Sequence, residues 1–139
     1  MKSISFLSVS LIFLMFISSC KKDAGEGGTS SIYGKVYARY YNKNFSVLAD
    51  SAYAPDLYVY IIYGNNSTYG TRQKTTYDGS YKFKYLEKGT YKIYTYSKDS
   101  TGAYKNYVNQ YSPDVAIIEE VKITKRKQNI EVKDINIVQ

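Results

Sequence analysis

Residues 75–93, TTYDGSYKFKYLEKGTYKI, decide the fold class. Tyr81, Phe83 and Tyr85 alternate with Lys82 and Lys84, and Tyr91, Ile93 and Thr95 then alternate with Lys92, Tyr94 and Tyr96. Period two is the signature of a strand, because successive side chains of an extended chain point to opposite faces. Between alternating segments, Asp78-Gly79 predicts a two-residue hairpin turn of type I′, in which both central residues take positive φ. Residues 69–77 enter that turn, and residues 80–86 leave it. Leu86-Glu87-Lys88-Gly89 predicts the next turn, and residues 90–98 the strand after it.

The same alternation extends outward. From Ser31, one set (Ile32, Gly34, Val36, Ala38, Tyr40) is expected to face a core and the other (Tyr33, Lys35, Tyr37, Arg39, Tyr41) solvent. Residues 42–56 read as a longer connection containing Pro55. Residues 57–63, LYVYIIY, form a nearly continuous apolar run, expected of a central strand covered on both faces. Downstream, a turn at residues 99–102 precedes a strand and loop ending at Pro113, and residues 115–124 and 129–138 are the last strands. The apolar phase slips from Ile130 and Val132 to Ile135 and Ile137, which a β-bulge near Lys133-Asp134 would absorb. The expected fold is all-β, a seven- to eight-stranded antiparallel β-sandwich spanning residues 31–139.

Three spaced patterns carry a resemblance: Gly34-x-Val36, Thr75-x-x-Asp78-Gly79-x-Tyr81-x-Phe83, and Leu86-x-x-Gly89-x-Tyr91-x-Ile93. Together they are similar to the carboxypeptidase regulatory-like domain, a prealbumin-like (transthyretin-type) sandwich, over residues 32–97. The resemblance implies a non-catalytic accessory domain with no universal ligand site.

The amino terminus is of another kind. Lys2 and an apolar run from Phe6 to Ile17 lead through small residues to the single cysteine, Cys20. This is secretory signal architecture, too short to span a bilayer. Ile17-Ser18-Ser19-Cys20 resembles the bacterial lipobox, which directs diacylglyceryl transfer to the thiol and cleavage before it. That resemblance implies a signal peptide at residues 1–19, a lipidated Cys20 and membrane attachment through several acyl chains, far firmer than a single marginal chain. Residues 20–30 then form a flexible tether, the ten after Cys20 reaching about 17 Å. Cys20-Lys21-Lys22-Asp23 also resembles the start of many Bacteroidota lipoproteins and, by analogy, fits outer-membrane delivery. Lys22-Asp23-Ala24 matches the surface-export signal only in part, which leaves the periplasmic and surface faces both open.

Without residues 1–19 the chain has 120 residues, 18 Lys plus Arg and 12 Asp plus Glu, a net charge of about +6. All 18 tyrosines lie in that part, and Trp and His are absent from the chain. Tyr suits half-buried pleated surfaces, in keeping with an all-β domain. Outside the cytoplasm such a charge faces lipid head groups, acidic polysaccharides or acidic proteins, so no nucleic-acid partner is expected. With no His, and with Cys20 acylated, the chain lacks the usual general base, soft metal ligands and Cys-His or Ser-His pairs. Asp50, Asp56, Asp78, Asp99 and Asp114 fall at predicted turns, where local hydrogen bonding accounts for them. No enzyme activity, cofactor or metal is expected.

One surface has binding chemistry. Tyr33, Lys35, Tyr37 and Arg39 alternate ring and cation on the first strand, and Tyr94 and Tyr96 with Lys92 would extend the row if the sheet brings the two strands together. Rings stack on sugars and cations pair with their anionic substituents. The same residues would equally serve as cross-strand cover at about 0.2–1 kcal/mol per pair. The expected function is a lipid-anchored, non-catalytic envelope lipoprotein acting as a structural or protein-interaction module. The alternative is a surface glycan-binding lipoprotein that uses this Tyr/Lys face.

Overall fold

The computed structural model describes residues 23–103 and 108–139. The signal segment and Cys20 lie outside these residues. The described residues form nine strands and no helix: β1 (Glu26–Tyr41), β2 (Leu48–Tyr53), β3 (Tyr58–Tyr63), β4 (Thr71–Lys74), β5 (Ser80–Leu86), β6 (Gly89–Lys98), β7 (Asp114–Ile123), β8 (Asn129–Glu131) and β9 (Ile135–Val138).

They make two sheets, the all-β sandwich expected from the alternation. The first is built around the 16-residue β1. One edge of β1 pairs antiparallel with β5 and then β2, and the other pairs parallel with β8 and then β9. The second sheet is antiparallel throughout, in the order β4-β3-β6-β7. Antiparallel pairing therefore dominates, and only the last segment runs parallel to its neighbour.

The inward set of β1 is as expected: Ile32, Val36 and Ala38 are fully buried. Val59 and Ile61 of β3, Tyr91 and Ile93 of β6, Ile123 of β7, and Ile135 and Ile137 of β9 meet them between the sheets. Full burial of each large apolar side chain contributes about 1.5–3 kcal/mol. Gly34 makes room for the ring of Tyr81, its partner on β5: a β-carbon there would come 2.8 Å from Tyr81 Oη and 3.0 Å from the Val132 carbonyl oxygen. Tyr81 Oη is itself buried with no hydrogen-bond partner among the described residues. Burial pushes the pKa of this phenol up from its ordinary value of 10.0 and keeps it neutral.

Five expectations change. Asp78-Gly79 is not a hairpin turn: β4 pairs with β3 and β5 with β1, so residues 75–79 carry the chain from one sheet to the other. Gly79 has φ +75° whereas Asp78 does not take positive φ, and Gly79 N–H donates to the Thr76 carbonyl at 2.9 Å. A turn with one left-handed glycine suffices there. Residues 48–53, expected within a connection, form the edge strand β2; LADSAY is exposed along most of its length and lacks the apolar alternation that would reveal it. Residues 26–30, expected in the tether, belong to β1. The segment just before them is tied down as well: Gly25 N–H donates to Tyr91 Oη at 3.1 Å, and Glu87 N–H donates to the Gly25 carbonyl at 2.9 Å. In β5, Tyr85 takes φ +59° and is exposed, so Leu86 occupies the inward place. No strand forms at residues 108–113; β7 starts at Asp114.

The phase slip near the carboxyl terminus is resolved as expected. Tyr33 pairs with Glu131 and Val36 with Ile135, so the last segment carries one residue more than β1 over this interval. The extra residue separates β8 from β9.

Candidate functional site

Alternation along β3 sends Val59 and Ile61 inward and Tyr58 and Tyr60 outward. On β6 it sends Tyr91, Ile93 and Thr95 inward and Tyr94 and Tyr96 outward. Antiparallel register places Tyr60 opposite Tyr94, and their rings stack at 4.9 Å between centroids, 14° from parallel. Tyr96 meets both edge-on, at 5.8 Å and 5.7 Å, and Tyr69 from the β3–β4 loop meets Tyr60 edge-on at 5.1 Å. On the neighbouring β4, Arg72 lies opposite Tyr60 and Lys74 opposite Tyr58. The Arg72 guanidinium sits 4.2 Å over the Tyr58 ring, and Lys74 Nζ lies 5.5 Å from the same ring centroid. Burial within this cluster, with Tyr96 beside it, pushes the Tyr94 phenol up to about 12.

The cluster forms one wall of a groove of about 500 Å³ at the end of the sandwich. Tyr58, Tyr60 and Tyr96 line this wall. The other carries Tyr41, at the end of β1, and Phe45 from the β1–β2 loop, whose rings stack at 5.5 Å and 7°. Asn42 shapes the loop: its Oδ1 accepts from Ser46 N–H at 2.9 Å and Val47 N–H at 3.2 Å. Gln110 N–H donates to the Lys43 carbonyl at 3.0 Å, joining residues 108–113 to that loop. Lys98, paired with Asp114 at 2.8 Å, and the amides of Asn42, Gln110 and Gln139 supply polar groups along the lining. A cleft with aromatic walls and amide donors and acceptors can stack on flat apolar faces of a ligand while bonding its polar edges.

The Tyr/Lys row read from the sequence does not form one face. Tyr33, Lys35, Tyr37 and Arg39 lie on β1 in the first sheet, and Tyr94 and Tyr96 on β6 in the second. On β1 the row is engaged by its neighbours. Lys35 Nζ donates to Asp78 Oδ2 at 3.0 Å and lies 4.7 Å from the centroid of the Tyr53 ring. Tyr37 packs edge-on against Tyr53 at 5.3 Å and donates to Ser51 Oγ at 2.9 Å. Tyr53 donates to Asp134 Oδ2 at 2.9 Å. Tyr33 lies under Lys82, 5.6 Å from its Nζ, and Arg39 is exposed. Tyr94 is 9% exposed, a packing residue rather than a contact surface.

The groove residues that the sequence reading passed over are Phe45, Tyr58 and Tyr60. A signal for two of them was present, since the LYVYIIY alternation puts both tyrosines on one face. Nothing in the sequence pairs that face with β6, or folds the Phe45 loop over it.

No protein-family model matches the chain, and no curated protein matches it. Among solved structures, the chain is similar to a Pseudomonas aeruginosa protein provisionally described as carbohydrate-binding. The TM-score is 0.50 at 14% identity, over 84% of this chain and 92% of that one. At that identity the likeness is one of fold.

Proposed function

We propose that the protein is a non-catalytic, carbohydrate-binding β-sandwich held in a bacterial envelope by acyl chains on Cys20. The observation that carries the reading is the groove whose two walls are both aromatic, Tyr41 and Phe45 on one side, Tyr58, Tyr60 and Tyr96 on the other. Sugar rings present flat C–H faces to such walls and hydroxyls to the amides beside them. The description of the Pseudomonas protein agrees with this reading. The lipobox resemblance at residues 17–20 supports the anchor, and the Cys20-Lys21-Lys22-Asp23 resemblance supports an outer-membrane location. We also take the fold as prealbumin-like, a reading supported by the glycines of the three spaced patterns: Gly34 under Tyr81, Gly79 in the inter-sheet turn and Gly89 at the start of β6, the last two with positive φ. The lack of His supports a binding role over catalysis.

The test is a glycan array probed with the full-length protein in detergent. The double variant Tyr58→Ala/Tyr96→Ala, at positions 40% and 47% exposed, is expected to lose the signal while its circular dichroism stays native. A wild type that binds no glycan would defeat the carbohydrate reading and favour a protein-interaction module.

A further inference from the structure

Lys74, whose Nζ lies 5.5 Å from the centroid of the Tyr58 ring, lines a second groove of about 640 Å³ that runs between β4 and the outer face of the first sheet. Lys35 of β1 and Lys82 and Lys84 of β5 line it too, with Tyr33 among them. Glu131 is the one carboxylate on this lining, against four lysines. Lys82 and Lys84 have no carboxylate partner among the described residues. Lys35 and Lys74 are paired, with Asp78 at 3.0 Å and Asp56 at 3.2 Å. Lys82 and Lys84 are two residues apart on an extended strand, so they project from the same face about 7 Å apart. The ring-stacking groove and the cationic one thus meet where Tyr58, on the lining of the first, lies beside Lys74, on the lining of the second.

We propose that the ligand is an acidic polysaccharide, stacked by its rings in the aromatic groove and held by its carboxylate, sulfate or phosphate groups along Lys74, Lys82 and Lys84. This rests on the carbohydrate reading above and adds the charge class. A chain laid from Tyr96 past Tyr58 to Lys82 meets rings first and cations after, which a short neutral sugar would not use. Attraction between exposed charges steers and retains a polyanion, and salt screens it.

The test uses the full-length protein in detergent with polygalacturonate, alginate and dextran sulfate, each compared with neutral polymers, methyl-esterified pectin and dextran. Wild type is expected to bind at least one acidic polymer more tightly than the neutral ones, and to lose that preference between about 50 mM and about 300 mM NaCl. Lys82→Gln/Lys84→Gln is expected to weaken acidic-polymer binding about tenfold, at up to about 1 kcal/mol for each exposed charge contact removed, and to leave neutral-polymer binding unchanged. Tyr58→Ala/Tyr96→Ala is expected to weaken both. Equal binding of acidic and neutral polymers, or a lysine variant that binds acidic polymers as well as wild type, would overturn the proposal and leave the carbohydrate reading standing. Failure to bind any of these polymers would overturn this proposal alone if the glycan array is positive, and both readings if it is negative. Equal binding to double-stranded DNA would overturn it as a general polyanion effect.

Discussion

Tyr60 and Tyr94 face each other across β3 and β6 with their rings stacked, centroids 4.9 Å apart and planes 14° from parallel. The pair forms the base of the outward cluster and holds Tyr96 and Tyr69 edge-on at its rim. This outward face is therefore half a core, and its inner members are distinct from the exposed ones that a ligand would touch.

Tyr94→Ala should accordingly cost about 3 kcal/mol of stability, the low end for truncating a buried aromatic ring to alanine. Tyr96→Ala should cost under about 1 kcal/mol, because that ring stays partly in water. Thermal unfolding followed by circular dichroism measures both. Equal losses would show that the Tyr60–Tyr94 stack does not support the sheet.

Gly79→Val should destabilise the domain by more than about 2 kcal/mol, because a branched side chain resists a left-handed backbone and this site is crowded. A β-carbon there would lie 2.8 Å from the Val36 carbonyl oxygen and 2.9 Å from Tyr53 Cβ, at φ +75°. Gly64→Val serves as the comparison: φ is also positive, +56°, but among the described residues a β-carbon would meet only Ala24, at 3.8 Å. If the two variants lose the same stability in urea, steric crowding at the inter-sheet turn is not the cause.

Stability should fall in acid because of Asp78. Hydrogen bonds from Thr76, then Lys35 and Ser80, hold its carboxyl well below the ordinary value of 3.8. Its contribution is present above that ordinary value and is lost as pH falls toward the folded one. Asp78→Asn should flatten the acid limb of a stability-versus-pH curve below about pH 4. The alkaline limb has the opposite sign. Burial raises Tyr94 from 10.0 to about 12, so its contribution is complete below 10 and is lost as pH rises through 12. An acid limb unchanged by Asp78→Asn would remove this carboxylate from the account.

Cys20→Ser should abolish labelling by palmitate and leave an uncleaved or mislocalised precursor, because only a thiol accepts the diacylglyceryl group. Fractionation after radiolabelling measures this. Labelling of the variant at the wild-type level would defeat the lipobox reading.

By itself, the sequence determined the class of the fold, the inward residues of β1 and β6, and the bulge before Ile135. Each is written in a period of two or in a break of that period, and period is a local property of the chain. Only the tertiary structure decided which strands are neighbours. Alternation says that Tyr37 and Tyr94 both point outward, yet it cannot say that β1 and β6 belong to different sheets. Pairing depends on contacts between residues far apart in the chain, so the expected Tyr/Lys row was divided and Tyr94 became packing. The same pairing brought Tyr58 and Tyr60 to Tyr96, and it turned Asp78-Gly79 from a hairpin into a crossing between sheets. Edge strand β2 escaped notice because an exposed edge needs no apolar alternation, only a neighbour's free backbone groups to bond.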